Sequence, residues 1–361
     1  MKRILLLITD LEIGGTPTVV RELAIRLRAG GGCEVQVACL KGFGPVATQL
    51  QQAGVTVKAF SASATMDLPA VVGELRQYVR DHHIDTVFSF LVHANVVAAL
   101  ASRGVNGVRW LQSIQTTQPS PRWHWWLQRI AQHGAERVAA PSESVATVAR
   151  DWADVPAEKI VVIPNAVDVV CSTGVSTVSD GTRHGRDARV TRVGFIGRLD
   201  PVKRLPDLIT ALSQLPAGIT LDVWGEGSAR KQIEATIAKF NLADRVTLHG
   251  AIASPATALQ QIDCLVLPSA AEGFGLVLIE AMAAGVPVVA TDVAGIRDVV
   301  RSDHNGLLVP VGQSAILATA IQRVLTDADL RLRLISNGRR EVEARFTWDR
   351  VLPMYRSFLE V

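Results

Sequence analysis

Short runs of leucine and β-branched residues alternate along the chain with stretches of helical periodicity. This alternation is typical of β-α-β units, whose strands form parallel sheets covered by helices. In the first half of the chain the pattern predicts strands near residues 3–9, 34–40, 55–60, 84–90, 108–114, 137–140 and 160–163.

The periodicity stops at residues 169–190, which are rich in Ser, Thr, Gly and charged side chains and predict a linker. Beyond it the alternation restarts, with strands predicted near 191–196, 219–224, 245–248, 263–267 and 286–290. The sequence therefore predicts an α/β protein with two Rossmann-like, doubly wound domains, residues 1–168 and 191–346. Two such domains facing each other would enclose a central cleft at the carboxyl ends of their strands, where open parallel sheets bind ligands.

The last segment, residues 347–361, has apolar side chains at helical spacing. This spacing predicts an amphipathic helix, which must bury its apolar side against a neighbour. We expect the helix to pack back on the N-terminal domain. The apolar positions are Trp348, Val351, Leu352, Tyr355 and Phe358.

Composition supports two globular domains and excludes several other classes of protein. Of the 361 residues 48% are apolar and 20% charged, which is too apolar for a disordered chain. The net charge of +3 arises in residues 1–165, with 16 Lys and Arg against 13 Asp and Glu, because the remainder has 21 of each. Such a mild basic excess suits an anionic membrane surface or acceptor but falls short of a nucleic-acid-binding protein.

Cysteine usage and hydropathy favour a cytoplasmic protein. The four cysteines form no C-x-x-C pair and are too sparse for a disulfide framework or a zinc site. The apolar run at residues 2–8 resembles the start of a signal peptide, yet it stops at Thr9-Asp10 without a cleavage site. No apolar run is long enough to span a bilayer, so any membrane contact is expected to be peripheral, on the inner face.

The stretch E-G-F-G-L-V-L-I-E, residues 272–280, carries the most chemical information. It follows a predicted buried strand, and residues 276–284 read as a helix ended by Gly285. Free backbone N–H groups at Gly275 and Leu276, with the positive end of the helix dipole, can bind a phosphate. The carboxylates of Glu272 and Glu280 would repel a phosphate, so they suit sugar hydroxyls. The alternative is two ordinary solvated acids.

A pair of cations follows the first strand of the second domain. Arg198 comes directly after Gly197 at the end of that strand, and Lys203 lies five residues further on. Both can converge on one phosphate group. The alternative is a surface arginine and a surface lysine.

These motifs resemble those of the family 4 glycosyltransferases of GT-B fold, and the resemblance covers nearly the whole chain. It rests on the E-x7-E pattern and on four further segments: Gly14-Gly15, the stretch 164–168, Gly197-Arg198-Leu199-Asp200 with Lys203, and Gly225-Glu226-Gly227. The resemblance implies a retaining enzyme that uses a UDP- or GDP-sugar without a metal or another cofactor. It also implies that Arg198 and Lys203 bind the donor diphosphate, Glu280 the ribose and Glu272 the transferred sugar.

The resemblance implies further donor contacts at Gly273, Phe274, Gly275, Leu276, Gly197 and Gly225. His249 stands where the family accommodates the nucleotide base, although a plain loop histidine is the alternative. Gly14 and Gly15 would lie near the donor phosphate and the acceptor. A tight strand-to-helix turn, with Thr16 as N-cap and Pro17 as the first helical residue, explains the same glycine pair.

The chain departs from the family where many members carry a histidine that contacts the sugar or the acceptor. Gln115 occupies that place, and a glutamine can donate or accept hydrogen bonds but cannot carry a charge. His93 and Asn95, predicted at the end of the strand near 84–90, could contact the sugar or acceptor instead. Structural roles for both are the alternative.

Two further segments invite competing interpretations. Asp327-Ala328-Asp329 matches the metal-binding D-x-D of other transferases, but its place between two helices favours capping, and we predict no metal site. Three tryptophans and two arginines in residues 122–129 suit a membrane interface or a lipid-linked acceptor. Packing of the tryptophans in the core is the alternative.

The resemblance thus implies a retaining hexosyltransferase that moves a sugar from a nucleotide-diphosphate donor to the hydroxyl of a carbohydrate or lipid-linked acceptor. Polysaccharide, lipopolysaccharide or glycolipid biosynthesis is the expected setting. Two alternatives stay open. One is a GT-B nucleotide-sugar epimerase, and the other is a non-catalytic subunit that binds nucleotide sugars.

Overall fold

The computed structural model describes residues 1–60, 67–168 and 191–361, and the predicted linker at 169–190 lies outside the described residues. The chain forms two compact units. The N-terminal unit comprises Met1–Ala166, Ala271–Gly275 and Trp348–Val361. The C-terminal unit comprises Val167–Ala270 and Leu276–Thr347.

The N-terminal unit is built on a parallel sheet of seven strands in the order β3-β2-β1-β4-β5-β6-β7. The strands are β1 (Lys2–Ile8), β2 (Cys33–Cys39), β3 (Thr56–Ala59), β4 (Thr86–Phe90), β5 (Arg109–Ser113), β6 (Arg137–Ala140) and β7 (Ile160–Val162). The helices that follow them are α1 (Gly15–Ala29), α2 (Pro45–Gln52), α3 (Leu68–Asp81), α4 (Val92–Ser102), α5 (Arg122–Ala131) and α6 (Glu143–Ala153).

The C-terminal unit has a parallel sheet of six strands in the order β10-β9-β8-β11-β12-β13. Its strands are β8 (Thr191–Ile196), β9 (Ile219–Trp224), β10 (Val246–Gly250), β11 (Cys264–Leu267), β12 (Val288–Thr291) and β13 (Leu307–Val309). Its helices are α7 (Leu205–Ser213), α8 (Arg230–Lys239), α9 (Ala256–Leu259), α10 (Leu276–Ala284), α11 (Ala294–Arg297), α12 (Ser314–Thr326) and α13 (Ala328–Arg345).

The predicted pair of Rossmann-like α/β sheets is confirmed. In each sheet the strand order reverses next to the first strand, between β1 and β4 and between β8 and β11. Such a reversal sends consecutive connections to opposite faces and opens a crevice at the carboxyl ends of the two strands. The three-residue strand β13 was not predicted, because a run this short carries no readable alternation.

The final helix, α14 (Trp348–Leu359), lies in the hydrophobic core of the N-terminal unit. Its Tyr355 and Phe358 are buried, and the ring of Phe358 lies 5.3 Å from that of Phe88 in β4. The guanidinium of Arg26 stacks over Trp348 at 5.0 Å. The last residues of the chain therefore complete a core that begins with β1. Among the described residues, no helix is both long and apolar enough to cross a bilayer.

Candidate functional site

The crevice of the C-terminal sheet lies where β8 and β11 are neighbours. The loop after β8 carries Arg198 and Lys203, and the loop after β11 leads to Glu272. Because both strands are parallel, their two loops emerge at the same edge of the sheet. The topology therefore brings the predicted diphosphate-binding cations to the segment that precedes the predicted sugar-binding acid.

A backbone hydrogen bond ties these two loops together. Lys203 ends a short 3-10 turn, Pro201–Lys203, and the carbonyl of its neighbour Val202 accepts from the amide of Ala270 at 2.8 Å. The loop after β11 is also held from the other side, since the Thr291 hydroxyl donates to the carbonyl of Ser269. The position of Lys203 is thus coupled to the backbone two residues before Glu272.

Arg198 is available to an anion. Its side chain is 62% exposed and pairs with Asp200 at 2.9 Å. An exposed ion pair of this kind contributes only about 0–1 kcal/mol. A phosphate could therefore replace Asp200 as the partner of the guanidinium at little cost in free energy.

Close backbone packing explains the glycines beside Arg198. A Cβ atom at Gly225 would lie 1.9 Å from the carbonyl oxygen of Gly197, and one at Gly227 would lie 2.5 Å from that of Leu199. The Leu199 amide also donates to the carbonyl of Glu226 at 2.9 Å. These glycines let the loops after β8 and β9 touch, which accounts for them without any nucleotide.

Helix α10 begins as predicted at Leu276. Gly275 precedes it at φ 78°, a left-handed conformation that favours glycine, and Gly285 follows the helix at φ 74°. The partly exposed Glu280 lies in the second turn. The first amides of α10 have no acceptor within the helix and suit an anion. Phe274 is buried, so its ring anchors the loop.

Residues 271–275 belong to the N-terminal unit. Two hydroxyl groups of that unit donate hydrogen bonds to the backbone carbonyls of this segment. The Thr117 hydroxyl donates to the carbonyl of Glu272 at 2.6 Å, and the Ser142 hydroxyl donates to the carbonyl of Gly273 at 3.0 Å. A Cβ atom at Gly273 would lie 2.2 Å from the carbonyl oxygen of Gln115. Glycine is therefore required at 273, and the predicted residues Gln115, Glu272 and Gly273 are brought together.

The structure gives Thr117 and Ser142 functions that the sequence analysis missed. Ser142 could have been recognised as the N-cap of α6, because its hydroxyl accepts from the amide of Val145 at 3.2 Å. Its second bond, to Gly273, spans 131 residues of sequence and leaves no local pattern. The bond from Thr117 to Glu272 also joins residues distant in sequence and leaves no local pattern.

The loop after β1 differs in detail from the prediction. Helix α1 begins at Gly15, and the carbonyl of Gly14 accepts from Thr18. Thr16 and Pro17 therefore lie inside the helix, and the predicted N-cap at Thr16 is wrong. Gly14 has an extended φ of 176°, and a Cβ atom at Gly15 would meet no described residue within 4 Å. Among the residues that the structure describes, neither backbone strain nor packing requires this glycine pair.

His93 and Asn95 lie in α4 and not at the end of a strand, since β4 ends at Phe90. Asn95 is fully buried, and its side-chain amide donates to the Ser113 carbonyl at 3.0 Å and to Gln128 at 2.9 Å. The predicted contact of Asn95 with sugar or acceptor is therefore wrong, because its hydrogen bonds stabilise the core.

His93 lies at the surface on the first turn of α4, with its ring partly covered by neighbours, just after Leu91, whose φ of 72° is rare for a branched side chain. Its ring packs 6.0 Å from that of Trp123 and 5.4 Å from that of His124. Partial burial of the ring and then the charge of Lys41 lower the pKa of His93. Near neutral pH it is an uncharged hydrogen-bonding group, like Gln115.

His249 lies within β10 and not in a loop. Its Nε2 atom is 2.6 Å from a carboxylate oxygen of the buried Asp222, and its ring stacks on Trp224 at 4.7 Å. The imidazole thus covers a buried acid. Elsewhere, the Asp327 carboxylate accepts from the Leu330 amide at 2.9 Å, which confirms the predicted capping role. Within the described ranges, no three His, Cys, Asp or Glu side chains cluster closely enough to hold a metal ion.

Comparison with known families agrees with the fold and the motifs. The family model described as "Glycosyl transferases group 1" matches residues 182–341, and that described as "Glycosyltransferase Family 4" matches residues 13–170. Together the two models account for most of the chain. The chain belongs to the family 4 glycosyltransferases of GT-B fold.

The chain also resembles individual proteins of known sequence or structure. A D-inositol 3-phosphate glycosyltransferase of Xylanimonas cellulosilytica is 33% identical over 60% of this chain and 56% of its own length. The capsular polysaccharide biosynthesis glycosyltransferase CapM of Staphylococcus aureus is 30% identical over 46% of each chain. The chain thus spans about half the length of the curated relatives that it matches. Among solved structures, Anabaena HepE in complex with UDP-glucose matches with a TM-score of 0.88, 25% identity and full coverage of both chains.

Removing the Thr117 hydroxyl should loosen residues 271–275. In Thr117→Val we expect amide hydrogen exchange in this loop to accelerate roughly fivefold, since one such hydrogen bond contributes about 1 kcal/mol. Mass spectrometry of peptides covering the loop measures the effect. Thr319→Val, which removes a hydroxyl bonded to the Ala315 carbonyl of its own helix, is the control. Equal exchange rates in both variants would contradict the proposed anchoring.

Proposed function

We propose that the chain is a retaining hexosyltransferase that moves a sugar from a UDP- or GDP-sugar to an acceptor hydroxyl without a metal or another cofactor. The observation that carries the proposal is the convergence of loops at β8 and β11. Two cations, the N-terminus of α10 and the approach to Glu272 all belong to these two loops. The structural relative HepE was solved in complex with UDP-glucose, which supports a donor of this class.

The chemistry follows from where charge develops. As the glycosidic bond breaks, negative charge grows on the departing nucleoside diphosphate. Arg198, Lys203 and the first amides of α10 would stabilise that charge more in the transition state than in the ground state. We assign the ribose hydroxyls to Glu280 and the transferred sugar to Glu272. In a retaining reaction the acceptor hydroxyl would approach on the face from which the phosphate departs.

Several neighbouring residues have supporting roles in this proposal. The backbones of Gly273, Phe274 and Gly275 would line the donor, with Gly197 and Gly225 shaping the loops that present Arg198. We assign His249 to the surroundings of the nucleotide base, where its bond to Asp222 would hold it still. The uncharged Gln115 and His93 would offer hydrogen bonds to the sugar or the acceptor.

The acceptor is proposed to be a carbohydrate or a lipid-linked sugar, in polysaccharide, lipopolysaccharide or glycolipid biosynthesis. Relatives named for capsular polysaccharide and lipopolysaccharide core biosynthesis support this setting. We place the protein in the cytoplasm, with peripheral contact to the inner membrane face. Such contact would bring the enzyme to a lipid-linked substrate.

Glu272→Ala tests the assignment of the sugar-binding acid. We expect turnover of the nucleotide sugar, by hydrolysis or transfer, to fall roughly 10- to 100-fold, because a hydrogen bond to a charged group contributes about 1.5–3 kcal/mol. The melting temperature should stay near that of the wild type. Glu158→Ala, at an exposed acid in a 3-10 turn, is the matched control. Unchanged turnover in Glu272→Ala would reject the role.

The same assay separates the two alternatives. Incubation with the donor alone should release nucleoside diphosphate slowly and leave no isomerised sugar. Accumulation of an isomerised nucleotide sugar would identify an epimerase. Tight donor binding without hydrolysis or transfer to any acceptor would identify a non-catalytic binding subunit.

Gly15→Ala tests whether the glycine pair serves a ligand. No atom of residues 1–60, 67–168 and 191–361 lies within 4 Å of a methyl group there, and alanine is favoured over glycine in a helix by up to about 1 kcal/mol. The melting temperature should therefore stay equal or rise, whereas kcat/KM falls at least roughly tenfold if the donor phosphate or the acceptor approaches this backbone. A variant that is as active as the wild type would assign the glycine no role in binding.

A further inference from the structure

Helix α5 presents an unusual surface to solvent. A helix on the outside of a domain normally exposes charged and polar side chains of both signs. Here Trp123, Trp126 and Ile130 are 52%, 62% and 42% exposed, while Trp125 faces inward. The α5 sequence R-W-H-W-W-L-Q-R-I-A contains no acidic residue at all. The alternative interpretation, that the tryptophans fill the core, therefore holds for Trp125 alone.

Two shallow grooves flank Trp126, and arginines line both of them. One, of about 460 Å³, is lined by Arg103, Trp126, Arg129, Ile130 and His133. The other, of about 420 Å³, is lined by Pro119, Arg122, Trp125, Trp126, Arg129 and Trp152. We call the exposed Trp123, Trp126, Ile130 and Trp152, together with Arg103, Arg122 and Arg129, the α5 surface.

The charge of the α5 surface is only partly compensated by the protein itself. Arg129 forms an ion pair with Asp154, and the nearby Asp151 pairs with Arg150. Arg103 and Arg122 are exposed, and neither forms an ion pair within the described part of the chain. Two cations are thus left facing solvent beside a strip of large apolar rings.

This combination matches the chemistry of an anionic lipid surface. Tryptophan prefers the boundary between headgroups and acyl chains, where its ring is buried and its N–H group meets water. Arginine binds phosphate in a planar, two-pronged geometry and is attracted by the negative potential of the bilayer. A water-soluble protein partner would more often bind such rings in a matching pocket. A uniformly negative surface is more typical of a bilayer that contains anionic lipids.

We infer that the α5 surface docks on the headgroup region of a bilayer containing anionic lipids, with Arg103 and Arg122 on lipid phosphates and Trp123, Trp126 and Ile130 inserted at the boundary. The use of this contact to reach a lipid-linked acceptor rests on the proposed transferase function. Binding to the bilayer itself does not. The two can therefore fail separately.

Vesicle sedimentation of the full chain, without donor or acceptor, tests the docking. We expect the protein to bind phosphatidylcholine vesicles that contain about one-third phosphatidylglycerol, and to bind pure phosphatidylcholine vesicles far more weakly. In Arg103→Gln/Arg122→Gln the partition coefficient should fall roughly 25-fold, because each arginine contributes about a fivefold effect near an anionic surface. High salt should reproduce that loss in the wild type.

A double variant in α5 tests the apolar side chains, and matched variants in the C-terminal unit serve as controls. Trp126→Ser/Ile130→Ser should abolish binding, whereas Ile316→Ser/Leu332→Ser, which removes two equally exposed apolar side chains, should not. Arg333→Gln/Arg340→Gln, at two exposed arginines of α13, should likewise bind as the wild type does. An unchanged melting temperature in each variant shows that the fold is retained.

Three outcomes would overturn the inference. The first is a wild-type protein that ignores anionic vesicles or binds neutral ones equally well. The second is a Trp126→Ser/Ile130→Ser variant that still binds as the wild type does. The third is a wild-type dimer in light scattering that Trp126→Ser/Ile130→Ser converts to a monomer, which would assign the surface to a second copy of the chain.

Discussion

In each unit, the loops that carry the candidate site residues depend on contacts between backbones that leave no room for side chains. Gly225 and Gly227 let the loops after β8 and β9 touch, and Gly273 lets the loop after β11 touch the carbonyl of Gln115. Each of these contacts fixes a main-chain segment that carries a charged side chain or leads to one. A side chain can change its rotamer to relieve a close contact, whereas the backbone cannot. These backbone contacts therefore hold the loops more firmly than side-chain packing alone would.

The guanidinium of Arg198 is weakly engaged, in contrast to the close-packed backbone beside it. The side chain of Arg198 is 62% exposed and pairs with the partly buried Asp200, whereas the buried Asp222 contacts His249, whose side chain is 32% exposed. A group that must exchange its partner for a phosphate benefits from a weak initial pair.

Local patterns in the sequence were sufficient for the fold and for part of the site. The alternation of strands and helices predicted both sheets, and the glycines at 275 and 285 predicted both ends of α10, because these signals extend over a few residues. Three features could not be found in this way. The burial of Asn95, the hydroxyl bonds of Thr117 and Ser142, and the stacking of His249 on Trp224 all join residues that are distant in sequence. Only the assembled units specify such contacts.

Calorimetric titration with nucleotides tests most directly whether the loops after β8 and β11 bind a diphosphate. The account predicts that the wild type binds UDP or GDP much more tightly than the corresponding monophosphate. In Arg198→Ala/Lys203→Ala the diphosphate should bind roughly 100-fold more weakly, because each charged hydrogen bond contributes about 1.5 kcal/mol or more. The preference for the diphosphate over the monophosphate should vanish. An unchanged preference in that variant would contradict the account.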